Sequence, residues 1–258
     1  MLVFIGLGLQ GEGISLQGLR EAREADRVFM EFYTSLVPGL NMERLEREIG
    51  KPIMILNREM VEGRPEEILK AARRERVALL VPGDPMVATT HVDLRLRAAK
   101  AGIETKVIHS ASITSAAPGL AGLQSYKFGP SATVPFPDNP STRPYEILAE
   151  NRRRGLHTLL LLDIRADEGR AMTAGEAIEI MLGLEERLRD GAFTHNTLAV
   201  VVARAGSEDA VIRGDEVGKL RGLDFGQPPH VLIVPGKLHF VEAEALKVFA
   251  GAPEEVVK

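Results

Sequence analysis

The groups best suited to binding or chemistry fall in a few short segments beside apolar runs. The first is Gly6-Leu7-Gly8-Leu9-Gln10-Gly11, which matches G-x-G-x-x-G after an apolar run, with Glu31 further along. That acid stands roughly 20 residues beyond the third glycine, the spacing of a dinucleotide-binding fingerprint. The flanking residues argue against it. In the fingerprint the third glycine lies in the first helical turn, so that the helix N-terminus faces a pyrophosphate. Here Glu12 and Gly13 follow, and Ser15 is the first good N-cap, so the helix starts about four residues late. Glu12 also puts negative charge where phosphate would sit. The segment reads as a glycine-rich turn, and an NAD-dependent oxidoreductase is the rival it leaves.

The second segment is Val81-Pro82-Gly83-Asp84-Pro85, with Met86-Val87-Ala88-Thr89-Thr90 after it. Ligands of open parallel sheets bind beyond the carboxyl ends of strands. Gly83 lets backbone approach a ligand, and the prolines stiffen the turn. Asp84 either accepts hydrogen bonds from a ligand or shapes the turn and caps the next helix. The third, His109-Ser110-Ala111-Ser112-Ile113-Thr114, joins an apolar run to a small-residue helix whose first N–H groups suit a carboxylate. Ser112 as a plain cap is the alternative. The fourth, Pro228-Pro229-His230, leads into Val231–Val234. His230 reads as a structural hydrogen-bond partner ahead of a catalyst.

Other chemistries are set aside by composition. There is no cysteine, which removes disulfides, thiolate metal sites and cysteine nucleophiles. The six histidines show no metal-ligand spacing, so no metal is expected. G-x-S-x-G and P-loop patterns are missing. A net charge of −4 gives no electrostatic reason to bind nucleic acid or an anionic membrane. Arg73-Arg74-Arg76 and Arg152-Arg153-Arg154 read as solvated surface or as a docking patch for an acidic partner. The first residues lack a basic leader, and no apolar run nears the roughly 18 residues of a membrane helix. A cytoplasmic location is expected.

The elements that must position these segments alternate. Strands are predicted at 2–7, 27–32, 52–56, 76–81 and 104–108, and helices at 16–25, 42–49, 65–74 and 87–101. This βαβα order predicts an α/β domain with a largely parallel sheet. Residues 119–144 read as loops with one strand at 132–136. A helix at 145–154, a strand at 157–164 and a helix at 174–189 follow, the last capped by Thr173 with Glu176. Strands at 197–203, 210–214 and 230–234 and a helix at 238–249 complete a second α/β domain with a mixed sheet. The boundary is set at 110/111.

Together these segments resemble the diphthine synthases, within the tetrapyrrole methylase-like group of S-adenosylmethionine methyltransferases. FIGLGL (Phe4–Leu9), VPGDP (Val81–Pro85) and the turn at Ser112-Ile113 are marks of the wider group. More specific are EFYTS (Glu31–Ser35), GDPMVATTH (Gly83–His91), YKFGPSATV (Tyr126–Val134), GLHTLLLLDI (Gly155–Ile164), TLAVVVARAGS (Thr197–Ser207) and PPHVLIVPGKLHFVEAE (Pro228–Glu244). The resemblance runs from residue 1 to about 253. It implies a tetrapyrrole methylase-like fold of two domains with S-adenosylmethionine in the cleft between them, and a homodimer. Cofactor contacts would fall on Leu9, Asp84, Val87, Ser112, Ile113, Leu162, Ala205 and His230.

The implied reaction is N-methylation of the 3-amino-3-carboxypropyl histidine of translation elongation factor 2, a step of diphthamide synthesis, with three methyl groups added in archaeal-type members. A corrin-pathway methyltransferase is the nearest rival. An α-amino acceptor has a reference pKa of about 7.7–8.0, so a neutral fraction exists near pH 7. Positioning can then supply most of the catalysis, and no catalytic side chain is assigned. Each transfer must be followed by proton loss before the next, and after the third the nitrogen is permanently cationic. Tyr33, Thr34 and Ser35 are a hydroxyl-rich cluster at a strand end and are expected to line the acceptor side. Tyr33 packed at a domain or dimer interface is the alternative.

Overall fold

The computed structural model describes residues 1–257. Its contacts divide the chain into two compact units, Met1–Ile113 with Arg165–Arg170, and Thr114–Ile164 with the residues from Ala171 onward.

In the first unit β1 (Leu2–Gly6), β2 (Arg27–Glu31), β3 (Ile53–Leu56), β4 (Val77–Val81) and β5 (Thr105–Ile108) form one sheet in the order β3-β2-β4-β1-β5. Every pairing is parallel. The central strands β1 and β4 are apolar and buried along their length because both their faces are covered. Leu2, Phe4, Val77, Leu79 and Val81 enter one core, while Val3, Ile5, Ala78 and Leu80 enter the other, as the period of two requires.

Helix α1 (Leu16–Glu24) starts where its cap dictates, Ser15 accepting from the N–H of Gly18. Asn41 caps α2 (Met42–Ile49), which stops at Gly50 in the left-handed conformation. After a π-helical turn at Glu59–Gly63 comes α3 (Glu66–Arg74). Helix α4 spans His91–Lys100 and corrects the expected start at Val87. The intervening residues are a turn. Asp84 Oδ1 accepts from the N–H of Met86 at 2.9 Å, Ala88 has φ +55°, and the Thr89 hydroxyl donates to the Pro85 carbonyl. Side chain-to-backbone bonds of this kind compete with helix.

In the second unit β6 (Ala132–Val134), β7 (Thr158–Leu162), β10 (Leu198–Ala203), β11 (Val211–Glu216) and β12 (His230–Val234) form a mixed sheet in the order β11-β10-β12-β7-β6. Only β6 and β7 pair in parallel. Helices α5 (Ile113–Ala121), α6 (Arg143–Arg153), α7 (Ala174–Leu188), α8 (Val217–Leu220) and α9 (Phe240–Ala250) accompany it. The strand expected at 157–164 is cut short. At Asp163 the N–H bonds Val134 and the carbonyl receives Met172, and the chain then makes a two-residue ladder of β8 (Ile164–Arg165) with β9 (Arg170–Ala171). Thr173 and Glu176 form a reciprocal capping box on α7. Glu242, fully buried on α9, gathers the N–H groups of Gln124 and His239, the His157 ring and the Lys127 ammonium. Arg152 donates to Ala192 O and Thr197, so one member of that basic cluster is structural.

Candidate functional site

The ends of β4, β1 and β5 lie side by side, which brings Gly8, Gly83 and Ser110 together. Gly8 and Gly83 exchange two backbone hydrogen bonds, of 3.1 and 2.9 Å. A Cβ on Gly6 would lie 2.5 Å from Gly83 O and 2.7 Å from the Ser110 Cβ. Only glycine permits three chains to approach so closely. Gly83 itself, at φ +67°, has no atom within 4 Å of its Cβ position. The turn therefore presents open space above bare backbone.

The rest of the glycine run faces protein. A side chain on Gly11 would collide with the Gly39 carbonyl, and one on Gly13 with Leu7 O. Gly11 N–H donates to Pro38 O at 2.8 Å. Glu12 is exposed and pairs with Arg44. Glu31, the acid a ribose would need, is wholly buried. The dinucleotide reading has neither its phosphate cradle nor its ribose acceptor.

Asp84 is 6% exposed. Its Oδ1 takes Met86 N–H, and its Oδ2 takes Ser110 N–H at 3.2 Å and His109 Nδ1 at 2.8 Å. The carboxylate thus builds the turn and ties the end of β4 to the end of β5. Leu9 and Val87 stand half-buried on their turns, and Ser112 is buried with Ile113 opening α5. These five residues all flank the three adjacent strand ends.

Leu162 at the end of β7, Ala205 just after β10 and His230 at the start of β12 lie at one end of the three interior strands of the second unit's sheet. Ala203 pairs with His230 and Leu161 with Val231, and continuing that antiparallel register sets Leu162 opposite His230. His230 Nδ1 accepts from Ala174 N–H at 3.1 Å, so Nε2 carries the proton and donates to Gln227 O at 3.1 Å. Burial pushes its pKa down. The imidazole is neutral, with both nitrogens engaged within the protein. Arg204, which the sequence reading left out, donates to Phe225 O, Gln227 O and the Asp209 carboxylate. It fastens the segment ahead of His230 and the turn that holds Ala205. Its place in the ARAGS stretch was the available signal.

A second group that the sequence hid lies at the end of β2. Glu31 Oε2 accepts Thr34 N–H at 3.1 Å, and Oε1 accepts the Thr34 hydroxyl. His91, the first residue of α4 and also wholly buried, sets Nε2 3.7 Å from Glu31 Oε1 and 3.5 Å from the Tyr33 hydroxyl. Its Nδ1 donates to Pro85 O at 3.1 Å. Burial raises the Glu31 carboxyl to about 7 against the pull of the Thr34 bonds, and depresses the His91 imidazole. Among the described residues no group of three His, Asp or Glu side chains could hold a metal ion, and no helix is long and apolar enough to cross a membrane.

Strand ends of a parallel sheet meeting at small residues, in a chain that also carries a separate mixed sheet, are the architecture of a known methyltransferase class. Residues 1–220 match the profile of the tetrapyrrole (corrin/porphyrin) methylases, and the chain belongs to that family. Within it, the similarity is to the diphthine synthases. The diphthine synthase of Methanosarcina acetivorans is 50% identical over 266 residues, covering 100% of this chain and 99% of its own. That of Methanothermobacter thermautotrophicus is 49% identical over 261 residues, covering 100% and 98%. A diphthine synthase crystal structure superposes with a TM-score of 0.91 at 41% identity, over 99% of this chain and 98% of the other.

Proposed function

We propose that this chain transfers methyl groups from S-adenosylmethionine to the amino group of the 3-amino-3-carboxypropyl histidine of elongation factor 2, up to three times, yielding diphthine. The observation that carries this reading is similarity to diphthine synthases over the whole chain at about half identity. Neither the oxidoreductase rival, whose cradle is filled by protein, nor the corrin-pathway rival, which shares only the broader family, has comparable support.

The open backbone at Gly83 fits a flat adenosyl group, and the small residues around it keep the surface low. We assign cofactor contact to Leu9, Asp84, Val87, Ser112 and Ile113 on the first unit's strand ends, and to Leu162, Ala205 and His230 on the second unit's strand ends. When bound, the sulfonium supplies an activated methyl carbon. Asp84 holds the turn rigid, its oxygens already engaged by backbone and His109. The imidazole of His230, neutral and fixed, adds no charge near a cationic donor. Tyr33, Thr34 and Ser35 are assigned to the acceptor side, where their task is to aim a neutral amine in line with the methyl carbon. Positioning of this kind is worth up to about 7–11 kcal/mol. The enzyme works in the cytoplasm as a homodimer in this reading.

Intact-mass analysis of elongation factor 2 bearing the aminocarboxypropyl group, incubated with the chain and S-adenosylmethionine, tests it. Successive additions of one methyl unit are expected. An unchanged mass, with methylation of a corrin precursor instead, would transfer the assignment to the tetrapyrrole branch.

A further inference from the structure

Methylating an amine produces an ammonium, and that nitrogen cannot react again until it has lost a proton. Asp84 is poorly placed to accept one, because three hydrogen bonds already occupy it. The Glu31–His91 pair differs. Both side chains are wholly buried. His91 Nδ1–H is committed to Pro85 O, so the imidazole's open position is Nε2, which faces Glu31 Oε1 at 3.7 Å and Tyr33 Oη at 3.5 Å. The Tyr33 hydroxyl also bonds Glu62, which lies half-exposed on the π-helical turn and accepts from Thr90. One hydroxyl proton with an inner and an outer acceptor makes Tyr33 a link between a buried acid–base pair and water.

We propose that Glu31 and His91, reached through the Tyr33 hydroxyl, take up the proton released after the first and the second N-methylation and pass it out through Glu62. The inference rests on the acceptor-side assignment of Tyr33 made above. The amine lone pair forms the N–C bond, and the S–C pair stays with sulfur. The new ammonium gives its proton to Tyr33 Oη while the tyrosine proton moves to His91 Nε2, where it is shared with Glu31. Tyrosine is neutral before and after. The return path delivers the proton by the same hydroxyl to the Glu62 carboxylate and to water.

A carboxyl near 7 is matched to this duty, since a group poised near the working pH both accepts and releases. The other ionisable groups facing the pair are Tyr33, Glu62 and Arg58, whose guanidinium lies 5.3 Å from the Tyr33 ring centre. Phe4 is the apolar wall beside His91.

The test is a time course of methyl addition to aminocarboxypropyl elongation factor 2, read by intact mass, for the wild type, Glu31→Gln and Tyr33→Phe. The first transfer uses an amine that arrives neutral from solvent. The second and third need deprotonation on the enzyme. Both variants should therefore accumulate monomethyl product, the ratio of second-step to first-step rate falling by about tenfold or more. The deficit should shrink as pH rises from about 6 to 9. Binding of S-adenosylhomocysteine by calorimetry should stay within about twofold of wild type, since neither side chain is a cofactor contact. Tyr33→Phe keeps the ring and decides the matter if Glu31→Gln folds poorly. Equal slowing of every step, or none, would overturn the relay while leaving the proposed function standing. A wild type that adds no methyl to this acceptor would remove the function and the relay together.

Discussion

The backbone N–H of Ser110 donates to Asp84 Oδ2 at 3.2 Å, so the carboxylate after β4 is bonded to the segment after β5. Asparagine keeps one acceptor and turns its amide toward a donor. Asp84→Asn should therefore lower stability by about 1–3 kcal/mol. It should also weaken S-adenosylhomocysteine binding by about tenfold, the equivalent of 1.4 kcal/mol. Calorimetry and urea unfolding read the two effects. Undiminished affinity would confine Asp84 to its structural part.

Gly83 separates ligand contact from folding. At φ +67° with open space above it, alanine meets no atom and costs only the left-handed strain of roughly 1–2 kcal/mol. Gly83→Ala should keep the protein folded while its methyl blocks the adenosyl ligand. Gly11→Ala should behave in the opposite sense. Its Cβ runs into the Gly39 carbonyl, and overpacking of this kind costs about 1–3 kcal/mol without touching the site. Thermal unfolding and cofactor titration of the two variants should give crossed results.

The pH dependence of stability follows from four groups. Burial depresses the pKa of His91, His157 and His230 below 6.5. The unfolded chain thus binds protons that the native state refuses as pH falls through about 6.5, and stability is lost. Glu31 works the other way. Its native pKa of about 7 exceeds its unfolded value of 4.5, so the native state binds a proton first and gains stability from pH 7 down to 4.5. The three histidines thus favour a loss of stability below about pH 6.5 and Glu31 opposes it, so Glu31→Gln should show a steeper loss on acidification than the wild type. Urea midpoints across that range provide the check.

Glu31→Gln isolates the opposing contribution. Above pH 7 the wild type holds a buried carboxylate, which the amide replaces with a neutral group. The variant should be more stable than wild type at pH 8, by at most about 3 kcal/mol at 1.36 kcal/mol per pKa unit. The advantage should vanish below about pH 5, where both side chains are neutral. A difference independent of pH would mean that Glu31 does not titrate in the folded protein.

Glu242 binds the N–H groups of Gln124 and His239 and the side chains of His157 and Lys127. Those partners hold its carboxyl near 2 against the opposing effect of burial. Its contribution is complete above 4.5 and is lost as pH falls through about 2. Glu242→Ala should cost about 3–5 kcal/mol by stranding buried partners. Chemical unfolding at pH 7 measures it.

The chain's local patterns determined much of this. Apolar runs specified the five strands of the first sheet, most plainly β1 and β4, which bury both faces. Ser15 and Thr173 marked helix starts, because a cap needs only its own next three residues. The late start at Ser15 also argued against a phosphate cradle before any contact was known. The motif stretches from Phe4 to Glu244 carried the family. Other features depend on partners far along the chain. Val87 read as helix until Asp84 and the φ of Ala88 turned its segment into a loop. The strand expected through Ile164 broke at Asp163, where Val134 and Met172 take the backbone. Glu31 read as the candidate ribose acceptor and as the first residue of EFYTS. Burial, with the negative charge of Glu62 some thirty positions away, is what lifts its proton affinity, and only the folded chain supplies a low-dielectric surround with such a neighbour in reach.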